Sequence, residues 1–340
     1  METEDCLTIC TFNCRSIKSS LNEIYSLCSN CDIVLLEEHW LLPNEISFLS
    51  NLHPDFMAIG HSAVNLSNNI LVGRPYGGTG ILYRKSLSNM ISFVKTSNPR
   101  ITSVILKSKL GPILIVCVYM PTDYGTSDCY EDYLELCSCI SALYKDSDAV
   151  QLLVAGDFNC QLGSRFYPLL LNFINDNNLI PSDMCRLQDV FTFSNIESNH
   201  FSWIDHVLCS PAIDKLVYDC VVKYEYISSD HKPLIIKFKN LIVSMQELNK
   251  VNNESQVSKK VADWVNADTI ELLNYQAELD SALSHIDIPV DLLLNEMSHP
   301  CCLDVENCIS KYYSNVVSCI NDATSKCIPC KTISCDDNVQ

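Results

Sequence analysis

An apolar run of strand-forming residues at 152–155 (LLVA) sets the strongest condition on how this chain folds. The run ends in Gly156, and the polar Asp157 and Asn159 follow within three residues. A carboxylate or amide left unpaired in a core costs about 1–3 kcal/mol. We therefore expect the strand to deliver both groups to a site at its C-terminal end. A strand followed by a tight turn accounts for the same residues, because Gly, Asp and Asn are turn formers. This stretch alone leaves both interpretations open.

Other apolar, strand-like runs end or break off in the same way. Polar side chains close the runs at 6–13, 33–36 and 113–119, interrupt 201–208 and follow 221–227. With Asp157 and Asn159 they make eight, and we predict that they converge on one rim of the fold. The other six are Asn13, Glu38, Tyr119, Asp205, Asp230 and His231.

The mixture of strands and helices indicates the fold class. Alternating apolar residues mark the strands, and apolar spacing of three and four residues predicts helices at 17–31, 130–144 and 166–179. Residues 43–69 fit a helix and a loop. Because hairpins are frequent, we predict an α+β fold. It is a four-layered α/β sandwich of two packed mixed β-sheets flanked by helices.

The periodicity of the sequence changes after about residue 245, where helical spacing replaces strand-like runs. We divide the chain into a domain at 1–240, which carries all eight polar residues, and a helical, cysteine-containing extension or linker at 241–340. Helical periodicity in the extension covers 246–285 and 303–327. No cluster of catalytic residue types occurs there.

Composition excludes several classes of protein. The chain has 340 residues, of which 47% are hydrophobic, enough for a sizeable core. No apolar run reaches the ~18 residues of a membrane helix, and the acidic N-terminus lacks the basic start of a signal peptide. We expect a soluble, intracellular protein with no membrane association. Its 20 cysteines then act mainly as small buried hydrophobes.

The net charge of −18 argues against broad, non-specific binding of polyanions. It leaves room for a local basic rim, since six cationic residues cluster in one third of the chain. These are Arg74, Arg84, Lys85, Arg100, Lys107 and Lys109.

The types of the eight polar residues fit one chemistry. Carboxylate and amide oxygens suit a hard divalent cation such as Mg²⁺. A histidine beside an aspartate serves as a base or as a donor to a transition state, and a second carboxylate orients it. Tyrosine and asparagine add neutral donors for anionic oxygens. Together these groups indicate hydrolysis of a phosphodiester or a phosphomonoester by an activated water.

Six motifs in order resemble the endonuclease/exonuclease/phosphatase superfamily over about residues 7–238. More narrowly, they resemble the endonuclease domain of LINE-type (non-LTR) retrotransposons, which is related to the abasic-site endonucleases. The stretches FNCRS, LLEEHWL and FSWIDHVL look closest to that branch. The other matches are YMP at 119–121, GDFN at 156–159 and SDHKPL at 229–234.

The resemblance implies a metal site and contacts to the substrate. Glu38 matches the principal metal-binding glutamate, Asn13 lies beside it, and Asp230 reaches the metal. The implied cofactor is Mg²⁺, with Mn²⁺ as the alternative. Thr192 and Ser202 fall where the retrotransposon branch has hydroxyls near the phosphate.

The resemblance also implies the catalytic roles. Asp157 matches the aspartate that orients or deprotonates the attacking water, and Asn159 helps to hold that water and the phosphate. Tyr119 matches a tyrosine that contacts the phosphate. His231 matches the essential histidine at the scissile phosphate, and Asp205 matches its partner.

Two positions depart from the family pattern. Glu37 stands where many relatives have glutamine, and this extra carboxylate is expected to raise metal affinity or to disturb the pKa of Glu38. Arg15 stands where some abasic-site enzymes have an acidic residue, which disfavours specific abasic-site repair.

The favoured function is that of a Mg²⁺-dependent DNA endonuclease, a hydrolase that nicks one strand. DNA is then the partner, the nucleus the place of action on chromosomal DNA, and a reverse transcriptase module a further partner. Two alternatives stay open: a phosphomonoesterase of the same superfamily, and a non-catalytic interaction module that retains the fold.

Overall fold

The computed structural model describes residues 6–65, 73–242, 259–264, 266–287 and 302–333. The chain divides into two compact units, Met1–Ser255 and Gln256–Gln340. The predicted boundary between 1–240 and 241–340 stays a prediction, because residues 243–258 lie outside the described part of the chain. Within the described residues, no helix is both long and apolar enough to cross a membrane.

The first unit contains two six-stranded sheets and one small hairpin. Its strands, in chain order, are β1 (Cys6–Asn13), β2 (Ile33–Glu37), β3 (Phe56–His61), β4 (Thr79–Arg84), β5 (Ile91–Val94), β6 (Ile101–Ser108), β7 (Gly111–Tyr119), β8 (Gln151–Asp157), β9 (Ile180–Pro181), β10 (Phe193–Asn195), β11 (His200–Ser202), β12 (Asp205–Cys209), β13 (Val217–Val222) and β14 (Leu234–Lys239).

The two large sheets have matching topology. The first has the order β13-β14-β1-β2-β4-β3 and the second the order β5-β6-β7-β8-β12-β9. Each sheet has one parallel pair near its centre, β1 with β2 and β7 with β8, and its other pairs are antiparallel. Both sheets are therefore mixed, as predicted.

Helices cover the outer face of each sheet. Helix α1 (Leu21–Asn30) and a 3-10 helix (Pro43–Asn51) pack on the first sheet. Helices α2 (Ser127–Asp146) and α3 (Tyr167–Asp176) pack on the second. A third buried cluster fills the space between the sheets. The predicted four-layered sandwich is confirmed. The shorter helical segments are another 3-10 helix (Lys85–Leu87) and α4 (Pro211–Asp214).

The second unit combines a two-stranded sheet with two helices. Strand β15 (Lys259–Ala262) pairs antiparallel with β16 (Cys330–Ile333). Helix α5 (Thr269–Leu283) begins at Asp268, whose side chain accepts hydrogen bonds from the first turn. Helix α6 (Cys302–Cys327) is the longest helix described. Helices were predicted at 246–285 and 303–327; the described helices cover Thr269–Leu283 and Cys302–Cys327, whereas Lys259–Ala262 in the first range is a strand and residues 246–258 lie outside the described residues.

The sequence analysis missed strands β3, β5, β9, β15 and β16, and β13 ends at Val222, so most of the strand-like run at 221–227 is turn or loop. Residues 43–69 were expected to form a helix and a loop, but β3 at Phe56–His61 follows the 3-10 helix. Its burial does not alternate cleanly, because β3 is an edge strand that is only partly covered. The cysteines of the described residues are free thiols, most of them buried, in agreement with the hydrophobic role predicted.

Strand register brings the polar residues together. Alternate side chains of a strand share a face, so Asp157 continues the inward-facing positions Leu153 and Ala155 of β8. Across the ladders, Asp157 lies opposite Tyr119 of β7 and Asp205 of β12. A layer of polar groups therefore closes one end of the core between the sheets.

Candidate active site

Asn13 joins the two sheets at the centre of the site. Its buried amide nitrogen Nδ2 donates to Glu38 Oε1 at 3.1 Å and to Asp157 Oδ2 at 2.9 Å. Asn13 and Glu38 belong to the first sheet, whereas Asp157 ends a strand of the second. The amide thus sets the spacing between two carboxylates that are 119 residues apart in sequence.

Glu38 lies just past β2 in an uncommon backbone conformation. Its φ is 53° and that of Trp40 is 56°. For bulky residues such left-handed angles cost about 1–3 kcal/mol each. Trp40 Nε1 donates to Glu38 Oε2 at 2.9 Å, and the Tyr119 hydroxyl also bonds to Glu38. The strained turn therefore holds the carboxylate in one orientation.

His231 and Asp205 form a buried pair. His231 Nδ1 lies 2.9 Å from Asp205 Oδ2, and His231 Nε2 lies 3.7 Å from Asp157 Oδ2. Burial lowers the pKa of His231, but the charges of Asp205 and Asp157 outweigh burial and raise that pKa to about 10. The imidazole is protonated at neutral pH, and its Nδ1 donates to Asp205.

Burial and the same neighbouring charges also shift the pKa of Asp157. Burial raises its pKa to about 7, with the charge of Asp205 acting in the same direction and that of His231 opposing. Its Oδ1 accepts the Asn159 backbone N–H at 2.8 Å. The Asn159 side chain donates to the Met120 carbonyl at 2.9 Å. Asn159 therefore ties the turn after β8 to the turn after β7.

Asp230 faces a cation. Arg15 Nη1 lies 2.5 Å from Asp230 Oδ2. The preceding Ser229 donates to the Asn13 carbonyl at 2.7 Å and accepts the His231 backbone N–H at 3.1 Å. Asp230 as a metal ligand stays a prediction. Ser229, which the sequence analysis left without a role, links the ends of β1 and the histidine loop.

Thr192 and Ser202, whose hydroxyls were predicted to lie near the phosphate, are next to the backbone that carries Asp205. The Thr192 hydroxyl accepts the backbone N–H groups of Ile204 and Asp205, each at 3.0 Å. The Ser202 carbonyl accepts the Thr192 N–H at 3.0 Å. Thr192 thus fixes the start of β12. A phosphate contact from either hydroxyl stays a prediction.

Glu37 is a buried carboxyl to which the sequence analysis gave no catalytic role. It receives hydrogen bonds at Oε1 from Thr11 at 2.9 Å and Cys117 at 3.2 Å. Its Oε2 has no hydrogen-bond partner among the described residues. Burial, followed by the charge of Asp205, raises its pKa well above the ordinary value. Alternation in β2 (Ile33, Leu35, Glu37) was the signal that could have placed it inside.

A second buried Asp–His pair, His206 with Asp183, lies next to the site. His206 Nδ1 lies 2.8 Å from Asp183 Oδ2, and its Nε2 lies 2.8 Å from the Cys160 carbonyl. Asp183 also accepts from Trp203 Nε1 at 3.0 Å and from the Val207 N–H at 3.0 Å. This network joins β12 to the turn that carries Asn159. Sequence analysis missed it, because Asp183 lies in a loop without a motif.

His206 gives a prediction about the pH dependence of stability. Burial lowers the pKa of His206, but the charge of Asp183, together with the hydrogen bonds to Asp183 and to the Cys160 carbonyl, outweighs burial and raises that pKa above its ordinary value. Folding therefore tightens proton binding, and this stabilisation is complete below pH 6.5 and lost as pH rises through the folded pKa. We expect the loss of unfolding free energy in His206→Phe to be larger at pH 6 than at pH 9 in urea titrations. An equal loss at both pH values would contradict a charged His206.

The donor set fits a hard divalent cation. Single ligand atoms of Asp157, Asp205 and His231 all lie within 4.8 Å of one another. This is the one such cluster in the described residues. His231 is a poor ligand because both its nitrogens carry protons, so Asp157 is better grouped with Glu38 and the Asn13 oxygen. The buried carboxylates exceed the nearby positive charge, and a bound cation would offset that excess.

Three solved structures with a similar fold can be compared with this chain. The AP endonuclease LMAP from Leishmania major is 14% identical, with 69% of this chain and 88% of that chain covered and a TM-score of 0.55. The 3' phosphatase NExo from Neisseria, bound to a product DNA hairpin, is 17% identical, covering 68% and 99%, with a TM-score of 0.53. The endonuclease domain of TRAS1, a telomere-specific non-LTR retrotransposon, is 16% identical, covering 69% and 99%, with a TM-score of 0.51.

The fold and the clustered polar residues define a nuclease or phosphatase of the two-sheet sandwich class. The sequence signature of the Endonuclease/Exonuclease/phosphatase family matches residues 10–231, about two thirds of the chain. The chain belongs to this family. The resemblance inferred from the six motifs is confirmed. A search against curated proteins finds no match to the sequence.

Proposed function

We propose that this protein is a divalent-metal-dependent DNA endonuclease of the non-LTR retrotransposon type, which nicks one strand through an activated water. The observation that carries the proposal is a continuous chain of contacts, from Asn13 to Asp157 at 2.9 Å, from Asp157 to His231 at 3.7 Å and from His231 to Asp205 at 2.9 Å. Similarity to the TRAS1 endonuclease domain supports the retrotransposon assignment. Chromosomal DNA in the nucleus would be the substrate, and a reverse transcriptase would use the nick.

Each side chain has a definable task in phosphodiester hydrolysis. Asp157, with a pKa near 7, accepts a proton from the attacking water. The His231 imidazolium donates to a non-bridging phosphate oxygen, and Asp205 keeps it charged and oriented. Burial and the Glu38 charge raise the pKa of Tyr119, whose hydroxyl stays a neutral donor. Glu38 and Asn13 would hold Mg²⁺, or Mn²⁺, which supplies charge neutralisation at the phosphate.

Nicking of supercoiled plasmid tests this function. Wild type with Mg²⁺ is expected to convert supercoiled plasmid to open circle, and His231→Ala and Glu38→Ala are expected to lose this activity. Asp55→Asn, an exposed carboxylate beside β3, is the matched control and should nick normally. If wild type leaves DNA intact but releases phosphate from a 3'-phosphorylated oligonucleotide, the protein is a phosphatase of the family. If it does neither, the interaction-module alternative takes its place.

We expect loops 61–78 and 192–202 to read the shape of the DNA, and the second loop contains the hairpin of β10 and β11. Phe193 forms a bridge to His231, so the hairpin starts beside the catalytic histidine. Its tip residue Ile196 and Phe201 are exposed. Replacing residues 194–200 with a short Gly-Asn turn should change the cleavage map on a mixed-sequence duplex and leave metal affinity unchanged. An unaltered map would exclude this role. The other predicted reading loop, 61–78, includes residues 66–72, which lie outside the described residues.

A further inference from the structure

A tryptophan holds one oxygen of the Glu38 carboxylate. Trp40 Nε1 donates to Glu38 Oε2 at 2.9 Å, while Asn13 occupies Oε1. The Trp40 backbone is fixed in turn, since its N–H donates to the Gly77 carbonyl at 3.0 Å and its φ is 56°. Trp40 is half-buried, and Glu38 is partly accessible as well. Trp40 thus contacts the carboxylate from a position that is itself open to solvent in part.

An arginine lies over that indole. Arg74 Cζ is 5.0 Å from the centroid of the Trp40 ring. The side chain is exposed and forms no ion pair with the described residues, whereas Arg15 is engaged by Asp230. A guanidinium held over an aromatic ring keeps its N–H donors free for bidentate recognition of phosphate. In a chain of net charge −18, this is a cation well placed to receive a nucleic-acid backbone.

We propose that Trp40 is a positioning residue for Glu38 and that Arg74, which lies on the same indole, contacts a DNA phosphate. The inference rests on the proposed function. Trp40 acts by fixing the direction of Glu38 Oε2, and Arg74 acts by binding the substrate and covering the ring. The two residues therefore affect different measurable constants.

The test compares two variants of the full chain with matched controls. Trp40→Phe keeps a ring under Arg74 but removes the N–H donor, and Trp264→Phe makes the same change at an exposed tryptophan of the second unit. Arg74→Gln removes the cation, and Lys215→Gln removes an exposed cation just after α4, at the end of β12 remote from Asp205. Mg²⁺ affinity is measured by calorimetry without DNA. Affinity for a fluorescent duplex is measured by anisotropy in EDTA over a salt series.

Trp40→Phe is expected to weaken Mg²⁺ binding about tenfold and to lower kcat with little change in KM. Arg74→Gln is expected to leave Mg²⁺ binding at the wild-type value, to raise KM and the Kd for DNA several-fold, and to reduce the salt slope by about one. Both controls should match wild type. The inference is overturned if Trp40→Phe binds Mg²⁺ like wild type, or if Arg74→Gln binds DNA like Lys215→Gln.

Failure of the inference and failure of the proposed function give different results. If wild type does not cleave DNA but the two binding constants shift as expected, the roles of Trp40 and Arg74 stand and the nuclease assignment falls. If wild type cleaves DNA and neither constant shifts, those two roles fall and the nuclease assignment stands. Because Arg74 is exposed, its variant keeps the test decisive even where Trp40→Phe does not fold.

Discussion

Asp157→Asn is expected to lower the rate of DNA nicking by about 10²–10⁴-fold, the range over which a positioned general base contributes. The substitution keeps the size and most hydrogen bonds of the side chain, so the fold should persist. It removes the group that accepts the proton of the attacking water. It also removes one negative charge close to His231 and Asp205, which should lower the pKa of His231 from about 10.

Single-turnover cleavage of an end-labelled duplex is the appropriate measurement, because it separates chemistry from product release. Binding of the same duplex in EDTA should be equal to or tighter than in wild type, since an acidic site has lost a charge. Asp55→Asn serves again as the control for loss of an exposed carboxylate. A wild-type rate for Asp157→Asn would remove Asp157 from the reaction and with it the proposed role of the β8 terminus.

Gly156→Ala is expected to lower the free energy of unfolding by roughly 3–6 kcal/mol, from overpacking together with backbone strain. A β-carbon at this position would lie 1.9 Å from the Val118 carbonyl oxygen, in the parallel partner strand. The obstacle is backbone, so no side-chain rotation relieves it, and φ is +155°. Because typical domains have only about 5–15 kcal/mol of stability, the variant should unfold at low urea or aggregate.

Gly163→Ala is the matched control for Gly156→Ala. Gly163 also has a positive φ, +80°, but a β-carbon there meets nothing within 4 Å. The free energy of unfolding that Gly163→Ala loses should therefore reflect backbone strain alone and stay near 1 kcal/mol. Urea unfolding followed by circular dichroism compares the two variants with wild type. Equal losses would show that the close approach of β7 and β8 contributes nothing to stability.

The sandwich could be predicted because its buried strands are apolar runs that can be recognised in the sequence. The run at 152–155 is continuous and apolar because β8 is buried on both faces, by the other sheet and by helices. Edge strand β3 gave no such pattern, because it has a neighbouring strand on one side only and its side chains are only partly buried. Prediction thus succeeded where burial is complete and failed where it is partial.

The candidate site divides in the same way. Asn13, Glu38 and Asp157 were identified because each follows an apolar run and matches a family motif. Asp183 was not, because it lies in a loop and becomes important only through the buried His206 beside it. Glu37 and Glu38 are adjacent carboxylates in sequence, yet one is wholly buried and the other is partly accessible. That difference follows from strand alternation, which ends at Glu37.

The sequence by itself determined the layers of the fold, the family and the identity of most polar residues at the site, since apolar periodicity and motif order are local properties. Tertiary structure alone decided which groups touch. Asn13 meets Asp157 across 144 residues, Asp230 pairs with Arg15, and Arg74 lies on Trp40. The physical reason is that distances and pKa values depend on strand register and burial, and these arise only when the two sheets pack together.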